Sequence, residues 1–252
     1  MARSVELPAG EPLGFPRCVP CPYRRMGPAR ICVACASKTL EAIEPGACPV
    51  CSQILGTDGT CPNWLCDDPR RRIEHIDAIA YLSGALRDRI HRYKYYGRPG
   101  WSLIFGRLLV GWLEAHVADD PPDLIVANPT FIGRGGPATG HIERIIESAA
   151  IEDAEERWAF DVENPEPAII KTGDTEKSAG RTAAAKRGSA ATLRRLLEIP
   201  NPSVTEGSKI LVFDDVCTTG SQLNAVADCL LEEGHAAEVR GLVLARAPWR
   251  SR

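Results

Sequence analysis

The hydrophobic pattern separates two kinds of segment. Residues 76–82, IDAIAYL, form a short apolar run that predicts a strand. Over residues 85–95 the apolar positions Leu86, Ile90 and Tyr93 recur on one side of a helix, and residues 101–117 predict a longer, mostly apolar helix. A charged, proline-containing break over 119–123 leads to a second strand, LIVAN, at 124–128. Pro129, Thr130, a glycine-rich loop over 133–140 and a helix over 141–150 follow. Residues 151–167 are acidic and read as a surface connection. A short strand at 168–171 precedes a polar, basic stretch to residue 190, read as a loop, and then a short helix carrying Arg194 and Arg195. Residues 200–208 are turn-rich.

The run Ile210, Leu211, Val212, Phe213 is apolar throughout, as in a parallel strand buried on both faces. Asp214 and Asp215 follow as an acidic loop, and then come Val216, Cys217, Thr218, Thr219, Gly220 and Ser221. From Ser221 a helix begins, with Leu223, Val226, Ala227, Leu230 and Leu231 on one face and Gly234 at its end. Residues 239–245 supply a last strand. Strands alternating with helices predict an α/β fold with a mostly parallel central sheet and flanking helices.

The order of residues around 210–221 also predicts chemistry. In open α/β sheets ligands collect at the carboxyl ends of strands. The loop opens a helix, so free backbone N–H groups and the helix dipole face one spot, and Gly220 allows close approach. Thr218, Thr219 and Ser221 add hydroxyls. The arrangement suits one phosphate group, while Asp214 and Asp215 suit the hydroxyls of an attached sugar or a metal. A ribose 5-phosphate has both features.

Composition adds a boundary. The chain has 252 residues, 44% hydrophobic and 25% charged, with a net charge of −3, which excludes a broadly basic nucleic-acid binder. No run of 18 apolar residues predicts a membrane span, and residues 1–17 lack the apolar core of a secretory signal, so a cytoplasmic location is expected. Eight of the ten cysteines precede residue 67. They form four pairs: Cys18/Cys21, Cys32/Cys35, Cys48/Cys51 and Cys61/Cys66. Without export, such pairs point to metal rather than disulfides. Two pairs complete a four-thiolate zinc site, closed to substrate and therefore structural. The short gaps between Cys21 and Cys32 and between Cys51 and Cys61 favour two tandem zinc ribbons over a cross-brace. The expected organisation is a double zinc ribbon over residues 17–70 and a larger domain over 76–252. Arg24, Arg25, Arg30 and Arg70 to Arg72, with Tyr23 and Trp64, could meet nucleic acid. Yet residues 1–75 carry nine Lys/Arg against eight Asp/Glu, so a solvated basic edge is the favoured reading.

The stretch from Ile210 to Ser221 resembles the signature of type I phosphoribosyltransferases, which bind phosphoribosyl pyrophosphate (PRPP). The resemblance implies that Asp214 and Asp215 hold the ribose 2- and 3-hydroxyls and that Cys217 to Ser221, with Val216 leading in, wrap the 5-phosphate. It implies a pyrophosphate loop over 128–136, including Pro129 and Thr130. The basic stretch 171–190, which follows a strand in a chain with a phosphate cradle, reads as a lid over pyrophosphate, with Lys171 and Arg181 the candidates there by position. The four cysteine pairs, Tyr93 to Gly97, Thr175, Ala179-Gly180 and 210–223 together resemble the ComF-type competence proteins, in which a double zinc ribbon precedes the transferase domain. That family commonly has Arg-Gly-aromatic-Asn where Arg134-Gly135 is followed by Gly136 and Pro137, and a lid glutamine where Ser178 stands. Both departures lie outside the PRPP loop.

Two functions follow from the resemblance. One is an enzyme that displaces pyrophosphate from PRPP with an acceptor such as a nucleobase, using magnesium. The other is a non-enzymatic module that binds PRPP or a nucleoside monophosphate while the ribbons contact single-stranded DNA or DNA-uptake and recombination proteins. No general base stands out: His91, His141 and His235 read as surface or capping residues. Cys217 reads as a loop residue valued for its backbone, and Cys229 as a buried, inert thiol.

Overall fold

The computed structural model describes residues 40–96, 100–131, 140–162, 166–174 and 183–249. Cys18, Cys21, Cys32, Cys35, Arg181, the loop at 133–136 and the expected lid residues Thr175, Ser178, Ala179 and Gly180 lie outside them. In chain order the elements are β1 (Ile76–Tyr81), α1 (Gly84–Tyr95), α2 (Trp101–His116), β2 (Leu124–Ala127), α3 (His141–Glu152), β3 (Ile170–Lys171), α4 (Ala183–Arg194), β4 (Leu197–Glu198), β5 (Lys209–Cys217), α5 (Ser221–Glu232) and β6 (Glu238–Arg246). Short 3-10 turns occupy Trp64–Asp67 and Pro202–Val204. Among the described residues no helix is long and apolar enough to cross a membrane.

The strands β1, β6, β5 and β2 lie side by side in that order, and every pairing is parallel. β5 is central because it is apolar on both faces. Leu211 and Phe213 meet α1, α2 and α3 on one side, while Ile210 and Val212 meet α4 and α5 on the other. The period-two alternation of a strand therefore feeds two separate cores. α1 buries Leu86, Ile90 and Tyr93, the three positions its pattern marked. α2 is covered on most sides, as its nearly unbroken apolar sequence requires.

The connections create the crevice that matters. β2 and β5 are neighbours. The chain leaves β2 for α3 on one face of the sheet and leaves β5 for α5 on the other. Where adjacent strands send their chains to opposite faces, an open cleft remains at their carboxyl ends.

Four expectations are corrected. β5 continues past its apolar run to Cys217, so Asp214 and Asp215 belong to the strand rather than to a loop. β6 holds the extra residues through the register pairs Asp214↔Val243, Val216↔Ala245 and Cys217↔Arg246. Residues 151–167 are more than a surface connection: α3 runs to Glu152, Trp158 is buried, and the free edge of β2 is paired. There the Ile125 amide donates to the Ala159 carbonyl at 2.8 Å and the Asp161 amide to the Ile125 carbonyl at 2.9 Å. The short strand narrows to β3, which pairs antiparallel with β4 apart from the main sheet. Finally, α4 begins at Ala183, within the stretch read as a polar loop, because alanines at 183, 184, 185, 190 and 191 favour helix where apolar periodicity is weak.

Candidate functional site

Asp214 and Asp215 stand at the end of β5 on the cleft between β2 and β5. Successive strand residues point to opposite faces, so the two carboxylates meet different partners. Asp214 Oδ2 accepts from Asn128 Nδ2 at 2.8 Å, just beyond β2, and its Oδ1 accepts the Asp215 amide at 2.8 Å. Asp215 faces α1 and α3. Lys94 Nζ donates to Asp215 Oδ1 at 2.9 Å and lies 2.7 Å from Oδ2, while His141 Nε2 lies 3.4 Å from Oδ2. Both contacts to Oδ2 are ion-pair approaches. Tyr93 braces this corner: its hydroxyl donates to the His141 carbonyl at 2.5 Å, at the first residue of α3.

The electrostatics separate the two acids. Burial, with the charge of Asp215 beside it, pushes Asp214 up to about 6. Burial also acts to raise Asp215, but the His141 hydrogen bond and the Lys94 charge outweigh it and hold that carboxyl below the usual range. Lys94 would lose its proton more easily through burial alone; the two carboxylates reverse that and raise it.

The loop after β5 is built for close approach. Gly220 sits at φ 80°, a left-handed conformation costly for other residues. A Cβ there would also come within 2.5 Å of Ile76 Cδ1 and 3.0 Å of Leu65 Cδ2. Thr219 and Ser221 are buried with their hydroxyl oxygens 2.8 Å apart, whereas Thr218 is exposed. Cys217, read as a loop residue, is instead the last residue of β5 and buried, with its Sγ 3.4 Å from Arg246 Nη1. Cys229 is buried in α5, as expected, and burial pushes its thiol up to about 12.

Cys48, Cys51, Cys61 and Cys66 gather with all sulfurs within 4.8 Å of one another. Cys48 and Cys66 are 3.7 Å apart, Cys51 and Cys61 3.7 Å, and Cys61 and Cys66 3.5 Å. Tetrahedral zinc with sulfur at about 2.3 Å places its ligands about 3.8 Å apart. A disulfide would hold two sulfurs at about 2.05 Å. The set therefore fits a four-thiolate metal, and these two cysteine pairs come together in sequence order, as a ribbon requires. Cys51 is pushed down to about 4, first by the Cys66 thiol; burial opposes this, and Arg246 and Asn63 add to it.

The remaining expected site residues are placed as follows. Pro129 and Thr130 follow β2 at the cleft, and the Thr130 amide donates to Glu143 Oε1 at 2.7 Å, so a carboxylate already holds that N–H. Lys171 sits in β3 opposite Leu197; burial lowers its pKa, with Asp174 as an opposing charge. His91 and His235 are exposed, as expected, but His141 is drawn to Asp215 and is not a surface cap. Sequence reasoning missed Lys94, Asn128 as partner of Asp214, Asn63 and Arg246. A lysine beside the buried Tyr93 at the end of an amphipathic helix was a signal for the first. The others carried none.

No family model matches the chain, and no curated protein does. The chain is similar to a solved structure of the allosteric regulatory enzyme of purine biosynthesis, at 20% identity and a TM-score of 0.33, over 60% of this chain and 29% of that one. It thus spans less than a third of that chain's length. A likeness of that size is too slight to assign a fold.

Proposed function

We propose that the cleft between β2 and β5 binds a ribose 5-phosphate unit, as PRPP or a nucleoside monophosphate, and that the protein is a ComF-type member of the type I phosphoribosyltransferases. One observation carries this reading. Two buried carboxylates and a left-handed glycine turn that opens a helix lie within residues 214–221, at the point where the sheet's connections diverge. Asp214 and Asp215 accept hydrogen bonds from the ribose hydroxyls. The backbone of Val216, Cys217, Thr218, Thr219, Gly220 and Ser221 takes the 5-phosphate. Lys171, Arg181, Pro129 and Thr130 are assigned to pyrophosphate, and Thr130 can offer its amide there only when Glu143 releases it.

In the reaction proposed, an acceptor, a nucleobase in the simplest case, attacks the anomeric carbon. The bond from that carbon to the pyrophosphate oxygen breaks, and pyrophosphate leaves with the electron pair. Positive charge on the ribose ring in the transition state favours nearby carboxylates. The carboxylate of Asp214, beside Asn128 at the cleft, is an oxygen ligand of the kind a hard divalent cation would take. Magnesium bound with PRPP supplies charge neutralisation of the leaving group. Each cysteine set holds one structural zinc: Cys18, Cys21, Cys32 and Cys35 in a first ribbon, and Cys48, Cys51, Cys61 and Cys66 in a second. The ribbons span 17–70 and the transferase domain 76–252. The reading as a DNA-binding module rests on the resemblance, and the arginines between the first two cysteine pairs lie outside the described residues.

The test is calorimetric titration of the zinc-loaded protein with PRPP and magnesium, beside an Asp214→Asn/Asp215→Asn double variant. Micromolar binding by the wild type, weakened about 100-fold or more in the variant, is expected. A folded wild type that releases no heat with PRPP overturns the reading. Base-dependent release of pyrophosphate then separates the enzyme from the non-enzymatic module.

A further inference from the structure

The four-cysteine cluster and the phosphate loop are held by the same two side chains. Asn63 lies inside the Cys61–Cys66 loop and is fully buried. Its Nδ2 donates to the Thr219 carbonyl at 3.0 Å, across 156 residues of sequence. Arg246, the last residue of β6, is also fully buried. Its Nη1 donates to the Cys217 carbonyl at 2.9 Å and to the Thr218 carbonyl, and its Nη2 lies 3.5 Å from Cys51 Sγ. One guanidinium therefore touches a cysteine of the cluster and the carbonyls of Cys217, at the end of β5, and Thr218, the residue after it. Leu65, between Cys61 and Cys66, fills the space beneath Gly220.

These contacts have a physical consequence. Carbonyls of 217, 218 and 219 that are tied inward turn the intervening amides toward the cleft, which is the orientation an anion needs. A cluster of four thiolates around a divalent ion also carries two negative charges. Placed beside an anion-binding loop, that charge would oppose phosphate. The Arg246 guanidinium stands between them.

We propose that Asn63 and Arg246 are positioning residues through which the Cys48, Cys51, Cys61 and Cys66 centre holds the phosphate loop in its anion-binding form, so that metal occupancy and phosphate binding are linked. This rests on the proposed ribose-phosphate site and makes the metal centre part of it rather than an appendage. Linkage is reciprocal: whatever the metal does for phosphate affinity, phosphate does for metal affinity.

The experiment uses the full zinc-loaded chain. Hydrogen exchange is followed at amides 218–221 in the wild type, in Asn63→Ala and in Arg246→Lys, with amides 211–213 of β5 as an internal control. Each variant is assayed for zinc. The loop amides of a variant that keeps its zinc and its protected β5 should exchange about tenfold faster or more. Unchanged loop exchange in such a variant overturns the proposal. If Arg246→Lys does not fold, Asn63→Ala decides. Zinc affinity is then measured by equilibrium competition with a chelator, with and without saturating ribose 5-phosphate. One site should tighten about fivefold or more in the wild type and much less in Asn63→Ala. A wild type that binds ribose 5-phosphate without any change in zinc affinity also overturns it. A wild type that fails to bind ribose 5-phosphate defeats the site reading instead, and the exchange result still decides the positioning role.

Discussion

Asp215 is the residue on which distant parts of the chain converge. Lys94 reaches it from the end of α1 and His141 from the start of α3, and neither is near it in sequence. Among the described residues, its neighbour Asp214 has only the neutral Asn128 amide as a side-chain hydrogen-bond donor. That difference sets the two acids apart although both are buried. A carboxyl whose pKa is higher folded than unfolded holds its proton more tightly in the folded state. Its contribution therefore favours folding at low pH and turns unfavourable as pH rises through the folded value. With Asp214 raised to about 6, the wild type should lose stability relative to Asp214→Asn as pH rises from 4 to above 6. Urea denaturation of both proteins across that range measures it, and a constant difference would remove Asp214 as the source. Asp215, held low, acts in the opposite sense. Its contribution is present above pH 4 and fades as acid takes the pH below the usual carboxylate range. The two carboxylates were legible in the sequence as a pair. Their inequality was not, because it depends on which side chains other elements bring to each face.

At the scale of elements, apolar pattern located the strands and helices but not where each one stops. β5 outruns its apolar residues because β6 continues to pair with it, and a hydrogen-bond ladder does not depend on side-chain polarity. α2 and α3 pack closely for a reason that pattern hides. A Cβ on Gly106 would come within 2.7 Å of the Ala149 nitrogen and 2.8 Å of the Ser148 carbonyl carbon, both backbone atoms that cannot swing aside. Around that contact, Ser148 Oγ donates to Ser102 Oγ at 2.9 Å, and Arg107 pairs with Glu152 through bonds of 2.9 and 3.0 Å. Gly106→Ala gains helix propensity worth about 1 kcal/mol. It must nevertheless push two helices apart, and overpacking costs about 1 to 3 kcal/mol, or more against backbone. A net loss of about 1 to 2 kcal/mol is expected, read from the urea midpoint. A stabilised variant would show that the helices separate freely. His141, which faces Asp215, begins α3, so ligand affinity should fall in the same variant.

Across the whole molecule, the cysteine segment and the sheet share one core. Leu65 and Ile73 belong to the same apolar cluster as Val212 and Leu230, and Cys48 and Cys51 are themselves buried. Gln53, fully buried, donates to the Ala247 carbonyl at 3.2 Å and accepts from the Trp249 amide at 3.1 Å, which fastens the segment to the chain beyond β6. A metal holding those cysteines therefore stabilises the sheet as well as the ribbon. Stripping zinc with a chelator should lower the melting temperature of the β-sheet signal by about 5 °C or more, and the Cys51→Ser variant should behave like the stripped protein. An unchanged sheet transition would mean that the segment melts on its own.

The sequence by itself determined the α/β pattern, the buried apolar run that leads into two carboxylates, the glycine-containing turn that opens a helix, and the grouping of cysteines into closely spaced pairs. Each depends on residues close together in the chain, where period, turn chemistry and ligand spacing act locally. The tertiary structure alone decided that β2 and β5 are neighbours whose chains part to opposite faces. It also decided that Lys94 and His141 take Asp215 while Asn128 takes Asp214, that residues 158–161 seal the edge of β2, and that Asn63 and Arg246 tie the cysteines to the turn after β5. Those contacts join residues far apart in the chain. Strand order and helix packing bring them together, and neither is encoded in any one stretch of sequence.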